Sequence, residues 1–131
     1  MNEITITQTL QADEFKNLLY NCWHYSNYWC SLDCDPAFDW YNATFPETSD
    51  LPCIEDKLWA YLKHDPSHRI EVRDTYSDEK FSLRWDMIVE GSKVFAIDFP
   101  RHYQDFVSDN DDAVTADCWL QCVCLGDVVY G

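Results

Sequence analysis

Apolar positions recur along the chain with two different periods. Ile4-Thr5-Ile6-Thr7 alternates apolar and polar, which predicts a short strand. Phe15, Leu18, Leu19, Cys22 and Trp29 then fall at helical spacing. Asp13 and Glu14 stand where a helix N-terminus favours negative charge, so a helix is predicted from Ala12 to Tyr28. Asp33 through Pro52 keeps neither period. Pro36, Pro46, Pro52 and many Asp, Asn and Ser residues predict a loop region, and Phe38, Trp40, Tyr41 and Phe45 predict that it is packed.

Helical spacing returns over Ile54 to Lys63, with Leu58, Tyr61 and Leu62 on one side and Asp65-Pro66-Ser67 as the stop. Arg69 to Arg73 alternates as a strand, and Ser77 to Lys80 reads as a turn that Phe81 closes into a brief hairpin. Ser82 is a good N-cap for a helix reaching Ala96, with Leu83, Met87, Ile88 and Phe95 inward. Gly91 in its middle costs helix stability, which predicts close packing there. Tyr103 to Val107 gives another short helix after Pro100. Asp111 or Asp112 caps a last helix with Ala116, Leu120, Val123 and Cys124 as its buried stripe, and Gly126 ends it. Val128-Val129-Tyr130 is apolar enough to pack or pair. The fold class expected is α+β: a helix-rich single domain over residues 1–131 with a small antiparallel sheet or hairpin.

Composition sharpens this picture. The 131 residues are 47% hydrophobic and hold 6 Trp, 8 Tyr and 7 Phe, enough for a real core and too aromatic for a disordered acidic tail. Lys and Arg number 9 against 24 Asp and Glu, a formal net charge of −15. Such a chain has no cationic surplus to release counterions from nucleic acid or to approach an anionic membrane. The N-terminal residues lack the pattern of a signal peptide, and no run of apolar residues approaches a membrane span, so a cytoplasmic protein is expected. Its 7 cysteines cannot all pair internally. Cys30 and Cys34 are four apart, as are Cys118 and Cys122, and neither pair is a zinc knuckle. Buried free thiols are expected, with no metal and no cofactor.

Three constellations bear on chemistry. Asp74 with Asp78-Glu79-Lys80 echoes the carboxylate and lysine set of metal-dependent nucleases, but an acidic turn followed by Lys is common on surfaces. His64 and His68 are four apart with Pro66 between them, which forbids a simple helical ligand pair. His24 and His102 have no partner that sequence assigns, so ordinary histidines are expected. The third constellation is acidic. Asp33, Asp35 and Asp39 cluster, and Asp105, Asp109, Asp111, Asp112 and Asp117 cluster again. Either this is a solvated face, or the carboxylates imitate a phosphate backbone toward a cationic groove, with aromatics as anchors.

Tyr28-Trp29-Cys30 after an aromatic helix, the segment Ser82 to Ala96 with its Gly, and the closing Asp112 to Gly131 resemble a family of small uncharacterised phage and prophage proteins. The closing segment follows a D-x-x-x-A-D-x-x-x-Q-x-x-x-x-G-x-x-V-Y-G pattern. Cys122 and Cys124 depart from it, since apolar residues usually stand there in that family. The resemblance implies a viral origin and supplies no catalytic residues. A non-enzymatic protein is therefore expected. It would act in the host cytoplasm, binding and inhibiting a host nucleic-acid-binding defence protein of the restriction or CRISPR kind by DNA mimicry. The residues expected to bind are Asp33, Asp35, Asp39, Trp40, Tyr41, Asp105, Asp109, Asp111 and Asp112. The alternative is a structural or assembly accessory of a phage, acidic for solubility only.

Overall fold

Three short antiparallel strands organise one side of the molecule. In the computed structural model, which describes residues 3–4, 9, 11–50, 52–110 and 112–131, β1 (Cys30–Asp33), β2 (Ile70–Asp74) and β3 (Lys80–Leu83) form a sheet in the order β1-β2-β3. Period-two alternation sends Ile70, Val72 and Asp74 inward and Glu71 and Arg73 outward. The register sets Cys30 opposite Asp74, Leu32 opposite Val72 and Ile70 opposite Leu83. The inner face is thus apolar except for one buried carboxylate.

The described residues also form six α-helices: α1 (Lys16–Tyr25), α2 (Asp35–Thr44), α3 (Ile54–His64), α4 (Trp85–Asp98), α5 (Pro100–Val107) and α6 (Ala113–Leu125), of which α6 packs against β3. A single turn of 3-10 helix over Ala12–Phe15 leads into α1. The protein is the helix-rich α+β single domain that its periodicity predicts. No described helix is long and apolar enough to cross a membrane.

Helix α6 is central and packs most extensively on α4 and α1. Thr115, Ala116 and every residue from Cys118 to Val123 are buried, so this helix is covered nearly all round rather than along one stripe. Asp112 caps it by accepting from the Thr115 N–H at 3.0 Å, and Gly126 closes it with φ 76°, the left-handed conformation that glycine adopts without strain. Gly91 on α4 faces it. A Cβ built there would lie 2.3 Å from the Cα of Val123, so the two helix backbones meet where no larger residue fits. Trp29, Trp119, Phe15 and Phe95 are the largest wholly buried side chains, and Phe15 stacks on Phe106 of α5 at 4.8 Å.

Several boundaries differ from those read by periodicity. The stretch from Asp33 to Pro52 contains a helix, α2, because Pro36 falls in its first turn, where the missing N–H costs nothing. The first helix ends at Tyr25 rather than Tyr28, since Ser26 and Trp29 turn aside to bond Asp117. Ser82 is not a cap. It pairs with Glu71 in the sheet, and Arg84 precedes α4 instead. The strand predicted over Ile4 to Thr7 lies largely outside the described residues, and Ile4 itself is exposed in no element.

Candidate functional site

The two acidic clusters sit on different parts of the fold. Asp33 ends β1, and Asp35 and Asp39 lie one turn apart on α2, all exposed. Asp105 is on α5, Asp109 follows it with φ 57°, and Asp112 caps α6. Asp111 lies outside the described residues. Helix α2 packs on α3, whereas α5 packs on α4 and α6. No hydrogen bond, ion pair or shared cavity joins the two groups among the described residues.

The expected anchors are partly committed to packing. Trp40 is half-buried, with its ring 5.7 Å from Tyr61, 4.9 Å from His64 and 5.3 Å from His68. His68 also bonds through Nδ1 to the Tyr61 carbonyl at 2.6 Å, so this histidine pair belongs to an aromatic cluster. Tyr41 is half-buried beside Phe45 and under the Lys57 ammonium.

The ion pairs show where charge is left over. Lys16–Asp56, Lys63–Asp13, Arg73–Asp78, Lys80–Glu71, Arg84–Asp86 and Lys93–Glu90 engage six of the nine Lys and Arg side chains. None of Asp33, Asp35, Asp39, Asp105, Asp109 or Asp112 has a cationic partner among the described residues. An open groove of about 810 Å³ brings Asp109 together with Glu14 and Glu55, alongside Tyr20, Tyr103 and Phe106. Sequence reading missed this set, because its carboxylates come from three segments far apart in the chain. Among the described residues no Lys or Arg lines the groove.

Two further carboxylates are structural centres. Asp117, half-buried on α6, accepts from Ser26 Oγ and Trp29 Nε1 at 2.7 Å each, from the Tyr28 hydroxyl at 2.5 Å and from Gln121 Nε2 at 3.0 Å. Burial, then the hydrogen bond to Asp117, raise the Tyr28 phenol far above its ordinary range. The signal for this centre was the Asp117 and Gln121 pair, one turn apart in a helix otherwise apolar. Gln121 also holds the chain beyond α6: its Oε1 accepts from the Val129 and Tyr130 N–H groups at 2.8 Å, and its Nε2 donates to the Tyr130 carbonyl at 2.9 Å.

Asp74, on the inner face of β2, accepts from the Tyr130 hydroxyl and from the backbone N–H groups of Tyr76 and Ser77. Burial raises its pKa, but these bonds outweigh it and hold the carboxyl below its ordinary value. Its neighbours in sequence do not converge with it: Asp78 pairs with Arg73 and Lys80 with Glu71. Among the described residues no group of three or more His, Cys, Asp or Glu side chains is placed to hold a metal ion.

Cys22, Cys30, Cys34, Cys118 and Cys122 are buried free thiols, as expected, and Cys53 is exposed. Burial pushes Cys30 and Cys34 up to about 12. Cys118 is lowered by a hydrogen bond from Cys122, which is itself raised.

Fold and surface together define an acidic, helix-rich α+β domain with two internally satisfied carboxylate centres and an acid-lined groove. Compared with known proteins, the chain matches no family model, no curated protein and no solved structure.

Proposed function

We propose that the protein binds a partner with a basic nucleic-acid-binding groove and blocks it by presenting carboxylates where phosphates would lie. The observation that carries this reading is the surplus of exposed carboxylates: six of nine cations are engaged in ion pairs, and among the described residues Asp33, Asp35, Asp39, Asp105, Asp109 and Asp112 have none. Carboxylates on a rigid scaffold form charge-assisted bonds with Arg and Lys and steer association from a distance. The groove at Glu14, Glu55 and Asp109 adds tyrosine and phenylalanine surface to the same acidic region. The resemblance to phage and prophage proteins points to a host defence protein of the restriction or CRISPR kind as the partner, met in the host cytoplasm by a protein that is not itself an enzyme.

The test is displacement of labelled duplex DNA or RNA from the captured host partner, across a series of salt concentrations. The parent protein should release the nucleic acid, and less effectively as salt rises, because exposed charges are screened beyond about 8 Å at physiological ionic strength. The triple variant Asp109→Asn, Asp111→Asn, Asp112→Asn should inhibit more weakly while keeping its fold. If it inhibits as well as the parent, the mimicry reading fails and a phage accessory, acidic for solubility alone, takes its place.

A further inference from the structure

Exposed apolar side chains gather on one part of the surface. Tyr28, Val114 and Val128 are exposed and line a pocket of about 450 Å³, with Phe99 and Tyr130 half-buried beside them. Exposed Tyr76 stacks on Tyr130 at 5.2 Å, and exposed Val129 stands between Val128 and Tyr130 in the chain. Five of the nine exposed large apolar side chains among the described residues therefore belong to this patch. Scattered apolar residues on a surface need no explanation, but a patch gathered around a concavity marks a binding surface.

The floor of the pocket asks for nothing polar. Both Asp117 oxygens are taken, by Ser26, Trp29, Tyr28 and Gln121, and the Gln121 amide is committed to Asp117 and the Tyr130 carbonyl. An occupant of this floor is apolar, because a charge buried there would find no free partner. The rim is different. Asp98, Asp112 and Asp127 each precede a lining residue, Phe99, Ala113 and Val128, and all three carboxylates are exposed. Among the described residues none of them makes an ion pair, and no Lys or Arg lines the pocket. Arg101 shares a neighbouring hollow with Asp98 and offsets part of its charge, which still leaves the rim negative.

We propose that this patch docks a short segment of a partner protein in which one large apolar side chain is flanked by Arg or Lys. The apolar side chain enters between Phe99, Val114 and Val128, and the basic flanks meet the rim carboxylates in water. A second copy of this chain is the wrong occupant, since it brings an equally acidic rim and a net charge of −15. The pocket shares no lining residue with the acidic groove. The proposal does not rest on the mimicry reading, and the partner need not bind nucleic acid.

The experiment uses three pentapeptides blocked at both ends: Arg-Arg-Phe-Arg-Arg, Arg-Arg-Ser-Arg-Arg and Glu-Glu-Phe-Glu-Glu. Each is titrated into the isotope-labelled protein and followed by amide NMR. The first should give saturable shifts centred on Val114, Gln121 and Val128, with the other two at least about tenfold weaker there. Val114 is 62% exposed, so Val114→Trp fills the mouth without entering the core and should abolish the shifts. Asp98→Asn combined with Asp127→Asn, which keeps an oxygen for the Val128 N–H, should weaken binding about two- to tenfold. Absence of saturable shifts with the first peptide overturns the proposal. So does equal binding of the serine peptide, which would show charge alone at work, or of the acidic one. Shifts centred instead on Glu14, Glu55 and Asp109 overturn it in favour of the groove. Shifts at Val114 and Val128 that change on dilution without peptide overturn it in favour of a second copy. Unaltered binding by a folded Val114→Trp also overturns it. Should that variant not fold, the paired aspartate variant decides, and unchanged affinity there overturns the proposal.

Discussion

Tyr130 donates its hydroxyl to Asp74 at 2.5 Å, tying the segment after α6 to the end of the central strand 56 positions earlier. The phenol ring stacks between Trp29 at 5.5 Å and Tyr76 at 5.2 Å. The bond needs an ionised carboxyl and a protonated phenol, so it is sensitive to pH from both sides. The carboxyl of Asp74 is lowered by folding. Its contribution is complete above the unfolded carboxyl value of about 3.9 and is lost as pH falls through the folded one. Tyr130 is raised by Asp74 to about 12. Its contribution is complete below the unfolded value of about 10 and is lost as pH climbs through the folded one. Denaturant midpoints measured across pH should fall at both ends, and Tyr130→Phe should lower the plateau and flatten the alkaline decline. An alkaline limb unchanged in that variant would assign it to other tyrosines.

Gly91→Ala should destabilise the protein by about 1–3 kcal/mol or more, because the new methyl meets backbone rather than a movable side chain. Truncating the facing residue, Val123→Ala, should not restore the loss, since the atom in the way is Cα. Rescue in a double-variant denaturation series would mean the helices can part at little cost.

Leu120, on the helix that packs against α4 and α1, is wholly buried, and Leu120→Ala should cost about 2–5 kcal/mol in urea titration. A loss below about 1 kcal/mol would show that the core collapses around the vacancy.

Asp117→Asn should be destabilising despite its near-identical shape. The new amide keeps one oxygen for Ser26 and Trp29 but turns its NH2 toward the Gln121 amide, donor against donor, which strands a buried group at about 1–3 kcal/mol. Tryptophan emission during unfolding measures the loss, because Trp29 is wholly buried beside this centre.

A thiol reagent should find one fast cysteine in the native protein, Cys53, and seven after denaturation. Burial keeps the other thiols covered and raises Cys22, Cys30, Cys34 and Cys124 away from the reactive thiolate. Cys53→Ser should remove the fast phase.

Local signals account for much of the fold. The spacing of Leu58, Tyr61 and Leu62 located α3 to within a residue, and Gly126 and one of Asp111 or Asp112, which proves to be Asp112, marked the ends of α6 because capping is settled by neighbouring backbone groups. What escaped was set at a distance. Cys30–Asp33 is a strand only because β2 lies beside it, and Ser82 joins the sheet because pairing with Ile70 and Glu71 extends β3 past a plausible cap. The acidic positions were legible as counts, but their grouping was not. Glu14, Glu55 and Asp109 meet only once three helical segments are packed, and the role of Asp117 depends on donors about 90 residues away.

Helix α6 has a consequence for how the protein comes into being. It is the element on which α1 and α4 both close, and it is the last α-helix in sequence among the described residues. A nascent chain that has reached residue 112 has made every other wall of the core and still lacks its centre. Phe15, Leu18, Leu19, Ile88 and Phe95 then lack the side of the core that α6 supplies. Closure of this core therefore waits on contacts between α6 and a helix that begins almost a hundred residues earlier. The strong negative charge of the chain opposes self-association of that unfinished apolar surface.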